Sequence, residues 1–132
     1  MRTATTRSSP PMLRQEIQIG PHTTVSDVDE KIGGKDAGPT PHELLAAALA
    51  ACTSMTVTMY ATRKSWPLSK IEVSVDITKE EAGVAEFSRT LTLTGSLDAL
   101  QRERLLEIAN HCPVHKLLIS KISILTTLQP EK

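Results

Sequence analysis

Aromatic residues are nearly missing from this 132-residue chain: Tyr60, Trp66 and Phe87 are the whole set. Three rings cannot build a base-stacking surface for single-stranded nucleic acid, and they leave the core to aliphatic side chains. An excess of one charge is missing too. Fifteen basic residues balance fifteen acidic ones, so the chain has no basic footprint for nucleic acid or an anionic membrane. Long hydrophobic runs are absent. The longest, Leu44 to Cys52, falls well short of the ~20 residues a bilayer span needs, and no membrane partner is expected. The opening residues MRTATTRSSPPM hold two arginines and no acid, but no apolar segment of signal-peptide type. Residues 1–12 are expected to be a flexible tail, and 13–132 a single domain. The glycines of the segment from Lys31 to Pro39 do not spell a phosphate-binding GxxxxGK[ST] loop. Cysteine is scarce: Cys52 and Cys112 are the only two. A cytoplasmic location is expected, and there the thiols stay reduced. Each is then either a small buried apolar side chain or half of a redox pair.

The remaining sequence reads as alternating elements. Leu13 to Ile19 and His22 to Val28 suggest a hairpin across Gly20-Pro21. Thr40-Pro41-His42-Glu43 is a helix start, with a capping threonine, a proline at the first helical position and a glutamate three residues past the cap. The helix is expected to run to Arg63 or Lys64 and stop before Trp66-Pro67. Its first half, LLAAALAAC, is apolar all round, which predicts a central helix buried on every side. Ile71 to Thr78 and Glu86 to Thr94 alternate as strands. Ser96 or Asp98 caps a helix to about Asn110, Cys112-Pro113 opens a shorter one to about Ile119, and Ile122 to Leu128 reads as a last strand. Helices do not alternate singly with strands, so the class is α+β with mainly antiparallel sheet.

The two cysteines sit in different settings. Cys52 lies in mid-helix, sharing a face with Leu45, Ala48, Leu49, Met55 and Thr56. That mostly apolar lining raises a thiol pKa, whereas a thiol nucleophile must ionise. At ~100° per residue, Glu43 points to the opposite face and His42 lies nearly three turns away. Neither can touch Cys52 along an ideal helix, so any activating group must come from a loop or another chain. Cys112 stands at an N-cap position, where backbone N–H groups favour a thiolate, with His111 and His115 close by. From local physics Cys112 is the more acidic thiol. His111, Cys112 and His115 lack the second ligand pair of a zinc site, and no metal is expected.

The segments GPTPHELLAAALAACTSMT and MYATRKSWPL, followed by NHCPVHKLL, resemble the OsmC/Ohr family, and more narrowly the OsmC-like proteins, from about Leu13 to Leu128. The resemblance implies an OsmC-like α+β fold, an intertwined homodimer with its long helices packed centrally, and thiol-dependent reduction of organic hydroperoxides. It implies that Cys52 attacks the peroxide and that Cys112 resolves the sulfenic acid as a disulfide. It also implies a dithiol reductant, such as a lipoylated protein, and no cofactor. The strongest peroxidases of the family pair a hairpin arginine with a glutamate ten residues before the reactive cysteine. Here that glutamate's place is held by His42, with Glu43 next to it, and Arg14 is the nearest hairpin arginine. Arg14, His42 and Glu43 are therefore the candidate activating or lining residues. Two other readings stand beside this one: a binding protein for a small apolar ligand with incidental cysteines, and a redox sensor acting through a protein partner.

Overall fold

Residues Ala4–Arg7, expected to lie in a flexible tail, form a strand instead. In the computed structural model, which describes residues 1–131, this strand (β1, Ala4–Arg7) pairs antiparallel with β2 (Gln15–Ile19), Ala4 opposite Ile19 and Arg7 opposite Glu16. Thr5 and Thr6 are β-branched and suit a pleated surface, and the Arg7 guanidinium donates to Gln18 Oε1 at 3.3 Å. The composition of the segment concealed this, because its arginines and prolines outweighed two threonines. β2 continues into β3 (His22–Ser26), with Ile19 opposite His22. Gly20 opens the connection at φ 58, a region glycine enters without steric cost. The sheet order is β1-β2-β3.

The loop after β3 is folded around one carboxylate. Asp27 is 3% exposed and accepts the amides of Val28 (2.8 Å), Lys35 (3.1 Å) and Ala37 (3.1 Å). The Val28 amide, followed by those of Ala37 and Lys35 and by the charge of Arg14, holds the carboxyl below its usual range against the effect of burial. Gly34 closes the loop so tightly that a Cβ there would collide with the Val28 carbonyl oxygen.

The long helix α1 (Pro41–Arg63) starts as expected. Thr40 Oγ1 accepts the Glu43 amide at 3.1 Å, and Glu43 Oε1 accepts the Thr40 amide at 2.8 Å, a reciprocal capping box. It ends where Ser65 takes φ 55 and the Trp66 amide donates back to the Ala61 carbonyl at 2.9 Å, ahead of Pro67. Within the single chain the expected burial on every side is only partly met. One row spaced by four residues, Leu49, Thr53, Val57 and Ala61, is buried, while Leu45, Met55 and Met59 are exposed. By length and composition alone α1 could also cross a membrane.

β4 (Leu68–Glu81) and β5 (Val84–Gly95) form a two-stranded antiparallel ribbon. α2 (Ala99–Ala109) is capped by Asp98, whose carboxylate accepts the Gln101 amide at 2.7 Å while Gln101 Oε1 accepts the Asp98 amide. α3 (Pro113–Leu118) is a helix of six residues with Cys112 at its N-cap. The expected last strand is absent: residues 122–128 carry no regular structure, and Ile122, Ile124, Leu125 and Leu128 are exposed.

The chain, read from its sequence as one domain after residue 12, divides into two compact units. One comprises Met1–Ala47 and Ile77–Phe87, the other Ala48–Asp76 and Ser88–Lys132. The core of the second unit joins Val57 and Ala61 of α1 to Leu105, Ile108 and Ala109 of α2, flanked by Trp66, Ile71, Leu91 and Leu93. Leu105 is fully buried, so truncating it to alanine would cost about 2–5 kcal/mol.

Candidate functional site

Both cysteines belong to the second unit. Cys52 and Thr53 are consecutive on α1, so they leave the helix about 100° apart. Thr53 is completely buried, and Cys52 is half-buried. Cys112 arrives by a tight turn from α2, in which the His111 amide donates to the Ile108 carbonyl at 2.9 Å and the Cys112 amide to that of Ala109 at 3.4 Å. Pro113 then starts α3 at a position where its missing N–H costs nothing. The turn buries Cys112 completely. Both thiols are free.

The two sulfurs are neighbours, and each changes the other's ionisation. Burial pushes the Cys52 thiol up, and the hydrogen bond it shares with Cys112 and the charge there push it further. The Val114 amide and the Thr56 hydroxyl pull the other way and lose. Burial also raises Cys112, but there the balance reverses. The hydrogen bond from Cys52, the amides of His115 and Val114, and the Thr53 hydroxyl together hold it below the ordinary cysteine value. The sulfur does not complete a capping hydrogen bond to α3, so the amides act on it chiefly through their dipoles. The two thiols are thus driven in opposite directions, Cys52 up and Cys112 down.

Next to the pair stands a guanidinium. Arg89, on β5, donates from Nη1 to Thr53 Oγ1 at 3.0 Å and from Nη2 to Asn110 Oδ1 at 2.9 Å; its Nη2 also lies 3.1 Å from His115 Nδ1. A guanidinium has only donors, so His115 Nδ1 is the acceptor and its ring proton sits on Nε2. Burial first, and the Arg89 charge second, keep this imidazole below its ordinary pKa. Among the described residues no carboxylate pairs with Arg89. All its partners are neutral, so its charge is left to act on the surroundings. Among the same residues no three His, Cys, Asp or Glu side chains gather into a metal-binding group.

The sequence pattern described as OsmC-like protein matches residues 33–127, a span that includes both cysteines. The chain belongs to this family. Solved structures agree on the fold. A putative osmotic stress induced and detoxification response protein from Psychrobacter arcticus is 21% identical, with 89% of this chain and 88% of that one covered at a TM-score of 0.73. The OsmC like protein of Mycoplasma pneumoniae is 16% identical over 89% and 86% of the two chains, with a TM-score of 0.74. The organic hydroperoxide resistance protein OhrB of Bacillus subtilis is 23% identical over 90% of each, with a TM-score of 0.62. No curated protein sequence matches the chain.

Within this OsmC-like fold the candidate residues separate into two groups. Cys52 and Cys112 come together. Arg14, His42 and Glu43 belong to the first unit, and each has a partner there. Arg14 lies 3.8 Å from Glu16 in an exposed ion pair. His42 Nε2 contacts Glu80 Oε1 at 2.8 Å, and Glu43 closes the helix cap. Arg89 escaped the sequence reading, although a signal for it existed. The period of two in EFSRTLTLT places Phe87, Arg89, Leu91 and Leu93 on one face of the strand, and that face is the less exposed one. A charged residue in the apolar register of a strand marks either a defect or a site.

Proposed function

We propose that this protein reduces organic hydroperoxides by a two-cysteine cycle in which Cys52 attacks and Cys112 resolves. The observation that carries this reading is the juxtaposition of a half-exposed thiol with a buried, more acidic one. Only Cys52 presents sulfur surface to a substrate. Its proton lies in the hydrogen bond to Cys112, so passing along that bond it leaves a Cys52 thiolate as the peroxide arrives. The Cys52 sulfur bonds to the terminal peroxide oxygen and the O–O bond breaks. Cys112 returns the proton to the departing alkoxide, which leaves as an alcohol. Cys52 is then a sulfenic acid. The Cys112 thiolate attacks its sulfur, a disulfide forms and hydroxide leaves. A dithiol, for example on a lipoylated protein, reduces the disulfide by exchange and becomes a disulfide itself. The family, and the relatives whose names include organic hydroperoxide resistance, support this assignment.

The test is turnover of cumene hydroperoxide with a dithiol. Cys112→Ser should give one turnover and a Cys52 sulfenic acid that dimedone traps; Cys52→Ser should be inert. A Cys52→Ser variant as fast as the parent would overturn the reading and leave the attack to Cys112.

The working form in this reading is a homodimer in the reducing cytoplasm. Support for the dimer comes from the apolar side chains left bare: Met55 and Met59 on α1, and Ile119, Ile122, Ile124, Leu125 and Leu128 after α3.

A further inference from the structure

A guanidinium on the inward face of β5 holds one side chain from each of three neighbouring elements, and it meets no carboxylate among the described residues. Its contact with Thr53 bears directly on the cysteines. The Thr53 hydroxyl has one proton and two lone pairs. It accepts from Arg89 Nη1 at 3.0 Å, and its oxygen lies 2.7 Å from the Leu49 carbonyl, to which it can donate. Its single proton is committed to that carbonyl, and Arg89 takes a lone pair on the same oxygen. An Arg89 bond occupies one lone pair and polarises the O–H, which strengthens what the hydroxyl donates. The second contact runs through His115 Nδ1, three residues beyond Cys112, and the third through Asn110, two residues before it. Arg89 therefore grips both sides of the turn that carries Cys112, and the residue next to Cys52.

We propose that Arg89 is a positioning residue for the cysteine pair, clamping the Asn110–His115 turn that carries Cys112 against Thr53 of α1, the neighbour of Cys52. Arg89 works through Thr53 and the turn. This deepens the proposed function in one respect, since it says what prepares the pair for reaction.

The test is a titration of the reduced, full-length protein by the ultraviolet absorbance of thiolate, with Cys52→Ser/Cys112→Ser as the baseline and a thermal melt recorded for each variant. The other titratable side chain at this turn is His115, whose Nδ1 meets Arg89. Arg89→Met should raise the midpoint of the more acidic thiol by about one pH unit, the size expected when the amides aimed at the thiolate lose their alignment. Arg89→Lys, which keeps the charge but loses the fork, should restore part of that shift. Thr53→Val, which keeps the shape and removes the hydroxyl, should shift the midpoint the same way. The Arg89→Met/Thr53→Val double should shift it by less than the sum of the two, because one acts through the other. An unchanged midpoint in a folded Arg89→Met, or strict additivity in the double, would overturn the proposal. Should Arg89→Met fail to fold, a Thr53→Val midpoint equal to the parent's overturns it instead. No peroxide enters this assay, so absent peroxidase turnover would count against the proposed function and leave the role of Arg89 standing.

Discussion

At the scale of single residues, the site depends on which groups are kept from ionising. His115 accepts a hydrogen bond from Arg89 only as the neutral ring, and burial together with the Arg89 charge holds its pKa below the ordinary 6.5. The folded state thus binds this proton less readily than the unfolded state does. Its contribution to stability is complete above the ordinary value and is lost as pH falls below it, down to the folded value. The protein should therefore lose thermal stability as the pH falls below about 6.5, and His115→Gln should flatten that part of the profile. Melting curves across the range decide it, and equal slopes in parent and variant would show that His115 is not the group responsible. The cysteines follow the same logic with the opposite outcome. Identical thiols one hydrogen bond apart are driven in different directions because one has amides and a hydroxyl aimed at it and the other has chiefly burial.

Secondary-structure elements were legible where the signal is short-ranged. A capping box spans four residues, and the one expected at Thr40/Glu43 formed; of the two caps offered for α2, Asp98 is the one used, in a box with Gln101. The stop of α1 before Trp66-Pro67 was readable for the same reason, but its strain was not. Ser65 occupies the left-handed region at φ 55, where an L side chain costs roughly 1 kcal/mol. Glycine has no Cβ to clash there. Ser65→Gly should stabilise the protein by roughly 0.5 kcal/mol once glycine's freer unfolded state is deducted, a Tm rise of about 2 °C. A lower Tm in a thermal melt would show that the serine is not strained. β1 was missed because an edge strand of four residues has too few positions to show a period against a background of arginine and proline. The strand expected at Ile122–Leu128 failed for the converse reason. Its alternation is real, but alternation only says that one face seeks cover, and in the single chain nothing provides it.

At the scale of the whole molecule, α1 poses the same question. Its sequence is apolar on all sides, yet one row is buried and Met55 and Met59 remain 65% and 54% exposed. Bare apolar surface of this kind on a helix and on a following segment asks for a partner, and a second copy of the chain is the partner proposed above. Light scattering behind size exclusion should then return twice the chain mass of 14.4 kDa. Met55→Glu/Met59→Glu should bring it to one chain mass, because two unpaired charges cannot be buried in an apolar interface without a cost of several kcal/mol. A parent that elutes as a monomer at micromolar concentration would remove the dimer from the account.

The sequence alone determined the helices, their caps, the two long strands, the α+β class and the two cysteines, since each is written within a few residues of chain. Only the tertiary structure decided that the cysteines meet, and that Arg89 bonds to Thr53, Asn110 and His115 beside them. Arg89 reaches partners 21, 26 and 36 residues away in the chain. No periodicity extends that far; a guanidinium is assigned its acceptors only when sheet and helices pack, and its charge matters only because packing leaves it with neutral ones.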